Sequence, residues 1–360
     1  MIDRSSSEFS HDTTLTLEDT SQLFEVLSPI RKRSRVGAVV LAATVALGSV
    51  LPADIAIGKT DVEHSVPTIH SISDMTTERP NDDPLVYIDG FARQDSRWQA
   101  TNMLPALQVL TDSEISALEY GEKGIDINAI ASTIASELER QGATSVSLYG
   151  YSIGGDVALL VAGVLIHKYG IRVTNIYLDH SPASIDDINP AQRELATNVI
   201  NGLGFFEDLG LELQYSSIAR EIVNQAIPES NSYMDQVSSS LLIDQYSLGA
   251  SVDTEQAIAR LQSDTLPTPG IIYISSKSDT VINLTQADAT FQHETADANV
   301  PYLSLSVDGT VHGRPDYAID SYMSVFTESE PMIEQQSKTS EALYRMQTGL
   351  HIDMRVQFNR

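Results

Sequence analysis

Apolar and polar residues follow one another along this chain in blocks whose period changes, and the changes predict strands followed by helices. Residues 84–91 (PLVYIDGF) and 114–121 (EISALEYG) are short apolar runs typical of buried strands, and a segment with helical spacing follows each. The same order recurs from residue 144 to 165 and begins again at 172–182. Strands that alternate with helices indicate βαβ units, so we expect an α/β fold with a mostly parallel, doubly wound sheet.

Two of the helices carry boundary signals. The segment 96–110 contains Pro105, which predicts a break in that helix. The segment 126–142 begins at Asp126, a favourable N-cap residue, and stops at Gly142.

The alternation is interrupted between about residues 184 and 266, where the pattern is mostly helical. Strand-like runs resume at 269–279 and 301–309, and a last helix is expected at 314–328. The interruption therefore predicts a helical cap inserted between two strands of one sheet, within a domain that spans 84–328. We interpret residues 54–83 as a linker and residues 329–360 as a C-terminal tail.

An uncharged apolar segment near the N-terminus follows a basic cluster, RKRSR at 31–35. The 18 residues from Val36 to Ala53 carry no charge and would be about 27 Å long as a helix, close to the ~30 Å core of a bilayer. We predict that 36–53 is a retained transmembrane anchor or a cleaved signal segment; a buried helix of a soluble domain is the third interpretation. Basic residues favour the cytoplasmic side, so residues 1–35 are expected to be a cytoplasmic tail. The rest of the chain is then outside the cell membrane, or secreted if the segment is cleaved.

The overall charge limits the class of partner. The chain has 49 acidic and 22 basic residues, a formal net charge of −27, and no cysteine. Such a charge repels nucleic acids and anionic surfaces, so neither DNA nor RNA is expected as a partner. The absence of cysteine excludes disulfides, thiolate catalysis and cysteine-ligated zinc.

Candidate chemistry begins where the strand at 144–151 gives way to a helix. The sequence there is Gly150-Tyr151-Ser152-Ile153-Gly154, which fits the pattern G-x-S-x-G of a nucleophile elbow. In that turn a serine is held in a strained backbone conformation at the N-terminus of a helix, and the flanking glycines leave room for neighbouring elements. Ser152 is therefore a candidate nucleophile.

A serine nucleophile needs a base and a group that orients the base. His312 follows the last predicted strand and Asp279 follows the one before it, so both are expected at the carboxyl edge of the sheet beside Ser152. Asp179 and His180, in YLDHSP, also follow a strand at that edge. Asp179 is an alternative to Asp279 as the acid, and we interpret His180 as a structural residue near the site.

The elbow, the order Ser152, Asp279, His312 and the inserted cap resemble the α/β-hydrolase family of serine esterases, lipases and related enzymes over residues 84–328. The resemblance implies an oxyanion hole formed by the backbone N–H of Ile153 and a second N–H after the first strand, carried over to Phe91. At that second position many members have His-Gly, whereas this chain has Asp89-Gly90.

The resemblance implies that the chain cleaves carboxylic esters as a serine hydrolase. Such a hydrolase requires no metal and no organic cofactor, and its partner would be a small-molecule or lipid ester. An acyltransferase with the same triad is the alternative, as is a non-catalytic binding protein on the same fold. The oligomeric state stays open.

The segment 201–215 (NGLGFFEDLGLELQY) carries six apolar side chains within the expected cap. They line an acyl pocket or pack between the helices of the cap. The residues are Leu203, Phe205, Phe206, Leu209, Leu211 and Leu213. If these side chains line an acyl pocket, the pocket and the net negative charge of the chain together indicate uncharged esters of short to medium acyl length as substrates.

Overall fold

The computed structural model describes residues 66–73, 83–91, 93–121, 123–208, 214–215 and 237–347. The predicted cytoplasmic tail (1–35) and membrane segment (36–53) lie outside these residues, as does most of the predicted linker. None of the helices in the described ranges has both the length and the apolar content that crossing a bilayer requires.

Seven strands form one sheet. Along the chain they are β1 (Thr68–Ser71), β2 (Leu85–Ile88), β3 (Ile115–Glu119), β4 (Ser145–Tyr151), β5 (Arg172–Asp179), β8 (Gly270–Ser275) and β9 (Tyr302–Ser306). Their order across the sheet is β1-β3-β2-β4-β5-β8-β9, and every neighbouring pair is parallel except β1 with β3. This confirms the predicted α/β fold with a mostly parallel sheet.

Helices cover both faces of this sheet. They are α1 (Arg97–Leu110), α2 (Ile127–Gln141), α3 (Gly154–Val164), α7 (Leu284–Asp297) and α8 (Ile319–Gln347). In β2 the alternation of side chains sets the two layers: Val86 packs in a core with α2, α3 and α7, and Tyr87 packs in a second core with α1 and α8. Both faces are buried, which explains why the strands read as continuous apolar runs.

The insertion between β5 and β8 has its own elements. They are α4 (Pro190–Asp208), a two-stranded pair β6 (Gln214–Tyr215) and β7 (Val237–Ser238), α5 (Ser239–Ser251) and α6 (Thr254–Ala259). The side chains of Leu203, Phe205 and Phe206, and all of Leu209, Leu211 and Leu213, lie outside what the structure describes. The acyl pocket therefore stays a prediction.

The helix signals at 126–142 are present in the structure. The Asp126 side chain accepts hydrogen bonds from the backbone N–H groups of Asn128 and Ala129, which caps the start of α2. Gly142 ends the helix in the left-handed conformation with φ 71°.

Three predictions made from the sequence were wrong. Pro105 does not break α1; it lies on an exposed face of a continuous helix, where water can satisfy a backbone carbonyl left without a partner. Residues 68–71, assigned to the linker, form β1 at the edge of the sheet. The final helix was expected to end at 328, but α8 continues to Gln347 through more than half of the predicted tail. In addition, α7 was not predicted.

The continuation of α8 beyond residue 328 is part of the packed domain. Its buried positions are Ser329, Ile333, Gln336 and Ser340, which follow helical spacing. The Gln336 amide donates a hydrogen bond of 3.1 Å to the carbonyl oxygen of Ile271 in β8. Because three of these four side chains are polar, the apolar pattern of the segment is weak, although one face of it is buried.

We predict that Ile333→Ala lowers the free energy of unfolding by about 2 kcal/mol or more, because it removes a buried side chain from the second core. Met346→Ala is the matched control, since Met346 is 74% exposed on the same helix, and we expect a change within about 0.5 kcal/mol. Urea unfolding measures both. Equal midpoints for the two variants would mean that the end of α8 does not pack as described.

Candidate active site

The turn between β4 and α3 holds Ser152 in the left-handed backbone region, with φ 53°. Left-handed backbone is unfavourable for a residue with a Cβ and persists where the surroundings fix it. Here the backbone N–H of Ser152 donates a 2.7 Å hydrogen bond to the carbonyl oxygen of Asp179 at the end of β5. The neighbouring strand thus secures the turn.

Close backbone contacts explain the two glycines of the elbow. A methyl group at Gly150 would overlap the carbonyl of Gly154, and one at Gly154 would overlap the carbonyl oxygen of Ile88. A side chain at Gly150 would therefore disrupt the turn itself, and one at Gly154 would keep the turn from lying against β2.

The structure brings the three predicted triad residues into one hydrogen-bonded chain. Ser152 Oγ lies 3.0 Å from His312 Nε2, and His312 Nδ1 lies 2.8 Å from Asp279 Oδ2. Asp279 comes from the loop after β8 and His312 from the loop after β9. The carboxyl ends of parallel strands lie at one edge, so residues far apart in sequence meet there.

The site is shielded from solvent and polarised. Ser152 is 7% exposed and His312 8%, and the side chain of Asp279 is fully buried. Burial by itself raises the pKa of Asp279. The charge and hydrogen bond of His312 lower it by more, and the charge of His180 and the N–H of Ile282 lower it further. The pKa of Asp279 therefore falls to about 2. Asp279 is therefore ionised at neutral pH.

The segment after β2 runs directly against the serine. A Cβ placed on Gly90 would lie 2.8 Å from Ser152 Cβ and 3.3 Å from Ser152 Oγ. The segment is held by Tyr120 Oη, which donates a 2.9 Å hydrogen bond to the carbonyl oxygen of Asp89. Phe91, the residue implied for the second oxyanion donor, follows at once, and Ile153, implied for the first, precedes α3 and is 6% exposed.

Asp179 and His180 form a separate pair. The Asp179 carboxylate accepts hydrogen bonds from Tyr149 Oη at 2.6 Å and from Tyr322 Oη at 3.0 Å, and it lies 2.5 Å from His180 Nδ1. Both residues of the pair are fully buried. At the Nδ1 atom of His312, the structure places Asp279 rather than Asp179.

Two side chains near the site were not identified from the sequence. Tyr151 Oη accepts a 2.7 Å hydrogen bond from the N–H of Gly313, which fixes the loop that carries His312. Gln245, in α5 of the insertion, donates to the carbonyl oxygens of Gly90 at 3.3 Å and Arg93 at 2.9 Å. Tyr151 lies within the elbow pattern and could have been singled out, whereas nothing in the local sequence marks Gln245.

Within the part of the chain that the structure describes, no cluster of three or more His, Asp or Glu side chains has an arrangement that could hold a metal ion.

Comparison with protein-family models gave no match, and comparison with curated proteins gave none either. Several solved structures align with the chain. One, from the thaumarchaeon Nitrososphaera gargenis, is described as a carboxylesterase. It is 12% identical over 78% of this chain and 98% of that chain, with a TM-score of 0.48. A carboxyl esterase from Bacillus coagulans aligns at 13% identity over 74% and 99% of the two chains, with a TM-score of 0.47. A bromoperoxidase from Bacillus anthracis aligns at 15% identity over 75% and 94%, with a TM-score of 0.46. At these identities and scores, no activity is carried over to this chain.

We predict that Asp279→Asn lowers the turnover of a nitrophenyl ester on the order of 10⁴-fold, because the amide no longer selects the His312 tautomer that accepts the serine proton. Asp179→Asn is the comparison, and we expect a loss within about tenfold at mildly alkaline pH, since its carboxylate contacts His180 and two tyrosines. Initial rates of both variants test this. If Asp179→Asn caused the larger loss, the acid would be the one after β5.

Proposed function

We propose that this chain is a serine hydrolase of the α/β-hydrolase family that cleaves carboxylic esters. The observation that carries the proposal is the continuous chain of hydrogen bonds from Ser152 Oγ through His312 to Asp279, with separations of 3.0 and 2.8 Å. A nucleophile, a base and a group that orients the base in this order are the parts that acyl transfer through serine needs.

In the first half of the reaction, Ser152 Oγ attacks the ester carbonyl carbon while His312 Nε2 accepts the serine proton. Asp279 holds the Nδ1–H of His312 and stabilises the imidazolium that forms. The carbonyl oxygen becomes an oxyanion, for which the N–H groups of Ile153 and Phe91 are the proposed donors. The carbon–oxygen bond to the alcohol then breaks, and His312 gives its proton to the departing alcohol.

In the second half, a water molecule attacks the acyl-enzyme. His312 accepts a proton from this water, the oxyanion forms again, and the bond between the acyl carbon and Ser152 Oγ breaks. The proton returns to Ser152, and a carboxylic acid leaves.

Two features of the site support this chemistry. Ser152 lies at the N-terminus of α3, where the helix dipole favours the negative charge that develops in the transition state. Burial of Ser152 and His312 lowers the local dielectric, which strengthens those interactions.

We predict that Ser152→Ala and Ser152→Gly both abolish covalent labelling by a fluorophosphonate, which reacts when a serine oxygen displaces fluoride from phosphorus. Ser152→Gly is also expected to raise the unfolding midpoint, because glycine adopts a positive φ without steric cost. Ser136→Ala, an exposed serine on α2, is the matched control and should label like the unaltered protein. Intact-mass spectrometry detects the adduct, and an adduct on either Ser152 variant would contradict the assignment.

We also propose that the hydrolase domain lies outside the cell membrane. The support is in the sequence, where the basic cluster 31–35 precedes the 18 uncharged residues 36–53. The same segment acts as an anchor or, if cleaved, as a signal for secretion.

Protease added outside intact cells tests this topology. We expect it to digest the domain and to spare an epitope placed at residue 5, because the basic cluster keeps the N-terminal tail in the cytoplasm. Lysed cells are the control in which the epitope is also digested. Loss of the epitope in intact cells would mean that the proposed orientation is wrong.

A further inference from the structure

A buried side chain of the insertion holds the backbone segment that follows β2. Gln245, on α5, is fully buried. Its Nε2 donates to the carbonyl oxygens of Gly90 at 3.3 Å and Arg93 at 2.9 Å, although the two segments are more than a hundred residues apart in the chain. A buried amide is tolerated when it is hydrogen-bonded, and here both acceptors lie on the segment that passes beside the nucleophile.

The carbonyl of Gly90 and the N–H of Phe91 belong to the same peptide group. The peptide bond between the two residues is trans. In a trans peptide the C=O and N–H bonds lie in one plane and point in opposite directions. Because Gln245 fixes the direction of the Gly90 carbonyl, it also fixes the direction of the Phe91 N–H, which is the proposed second donor to the oxyanion.

The hydrogen bond from Gln245 also affects how strongly this N–H donates. A hydrogen bond accepted by the carbonyl oxygen polarises the peptide group and increases the positive charge on its N–H, and the effect is larger in a buried environment. The amide of Gln245 therefore orients the donor and strengthens it at the same time.

The preceding peptide group, between Asp89 and Gly90, is held at both ends. Its carbonyl oxygen accepts a 2.9 Å hydrogen bond from Tyr120 Oη, and its N–H donates to Asp89 Oδ1 at 2.8 Å. In the next peptide group Gln245 binds the carbonyl, and the N–H is the proposed donor. The hydrogen bonds along the segment thus lead to one N–H beside Ser152.

The helix that carries Gln245 is itself fixed to the domain. Leu241 and Leu242, one turn earlier on α5, are buried in the core that contains α2 and α3. Asp244 accepts a 3.0 Å hydrogen bond from the N–H of Ile125, just before α2. A positioning side chain is effective when the element that carries it is rigid, and these contacts provide that rigidity.

We propose that Gln245 is a positioning residue for the ester cleavage proposed above: its amide sets the Phe91 N–H and so couples the insertion to the oxyanion site. The proposal rests on the proposed function, because an oxyanion forms only if Ser152 attacks a carbonyl carbon. The oxyanion is absent from the bound substrate, so loss of Gln245 should lower kcat and leave KM nearly unchanged.

The first test is the hydrolysis of a nitrophenyl ester by Gln245→Met in the full chain. Methionine matches the length of glutamine and adapts to its surroundings, but it has no donor. We expect kcat to fall by about tenfold to hundredfold, which is less than the roughly 10²–10³-fold loss typical when an oxyanion donor is deleted outright. Gln245→Glu is the second variant; it keeps the shape, removes the donor, and should act in the same direction.

The second test compares a hexyl trifluoromethyl ketone with the corresponding alcohol as inhibitors. Ser152 Oγ adds to the carbonyl carbon of the ketone, the serine proton passes to His312, and the carbonyl oxygen becomes an oxyanion; no group leaves. The alcohol is similar in shape and forms no oxyanion. We expect Gln245→Met to weaken binding of the ketone by about the same factor as kcat and to leave binding of the alcohol unchanged. A general loss of structure would weaken both.

A third measurement reports on the peptide group without any turnover. Labelling glycine carbonyls with ¹³C and phenylalanine amides with ¹⁵N selects the two Gly–Phe pairs of the chain, at 90–91 and 204–205, and Phe205→Leu assigns them by removing one signal. The ¹⁵N resonance of Phe91 responds to the hydrogen bond on the Gly90 carbonyl. We expect it to move in Gln245→Met.

Thr254→Val is the matched control, because it removes another buried hydrogen bond from the insertion, donated by the Thr254 hydroxyl to the carbonyl oxygen of Ala183. It should lower stability and change neither the preference for the ketone nor the Phe91 resonance. If both Gln245 variants keep the ketone preference of the unaltered protein, or if Thr254→Val loses it equally, the proposal is overturned. An unaltered protein with no preference for the ketone would overturn the proposed function, while a moved resonance in Gln245→Met would still support the placement of the peptide.

Discussion

The close approach of three backbone segments at the β4–α3 turn is the constraint on which the candidate site depends. Ser152 N–H is held by the carbonyl of Asp179 from β5, while the turn lies against the carbonyl of Ile88 at the end of β2. Only glycine fits at position 154 against that carbonyl, and only glycine fits at position 150, where a Cβ would overlap the backbone of Gly154. The strain at Ser152 is local, but the atoms that impose it belong to three neighbouring strands, so the hydroxyl is placed by the sheet as a whole.

The same edge of the sheet must also accommodate buried negative charge. The side chains of Asp179 and Asp279 are both fully buried in a chain whose net charge is −27, and such carboxylates are stable only with hydrogen bonds and opposite charge. The Asp279 carboxylate accepts hydrogen bonds from two backbone N–H groups and from His312. The Asp179 carboxylate accepts hydrogen bonds from two tyrosine hydroxyls and from His180. Each carboxylate thus has its own imidazole, which separates the roles of the two acids that the sequence alone left in competition.

Most of the sheet could be predicted from the sequence, because the central strands are continuous apolar runs and the helices between them carry caps such as Asp126 and Gly142. The elements that escaped prediction lack that signal. The edge strand β1 has the sequence TIHS and no fully buried residue. The end of α8 buries Ser329, Gln336 and Ser340, so its buried face is polar. Likewise Ser152, Asp279 and His312 could be named as candidates from the sequence because chain order and strand ends mark them, whereas contacts such as those of Tyr322 and Gln245 depend on the tertiary structure alone.

The insertion contributes to the site through α5, although its side chains were expected to matter as an acyl pocket. Gln245 binds the carbonyl oxygens of Gly90 and Arg93, on the segment that carries Phe91. One turn later, Gly249 packs so closely against Ile153 that a methyl group there would overlap the isoleucine side chain. A single helix of the insertion therefore contacts both segments whose N–H groups are proposed to bind the oxyanion. Because a donor is effective only if it is fixed before the charge develops, these contacts are what the proposed oxyanion site would require of the insertion.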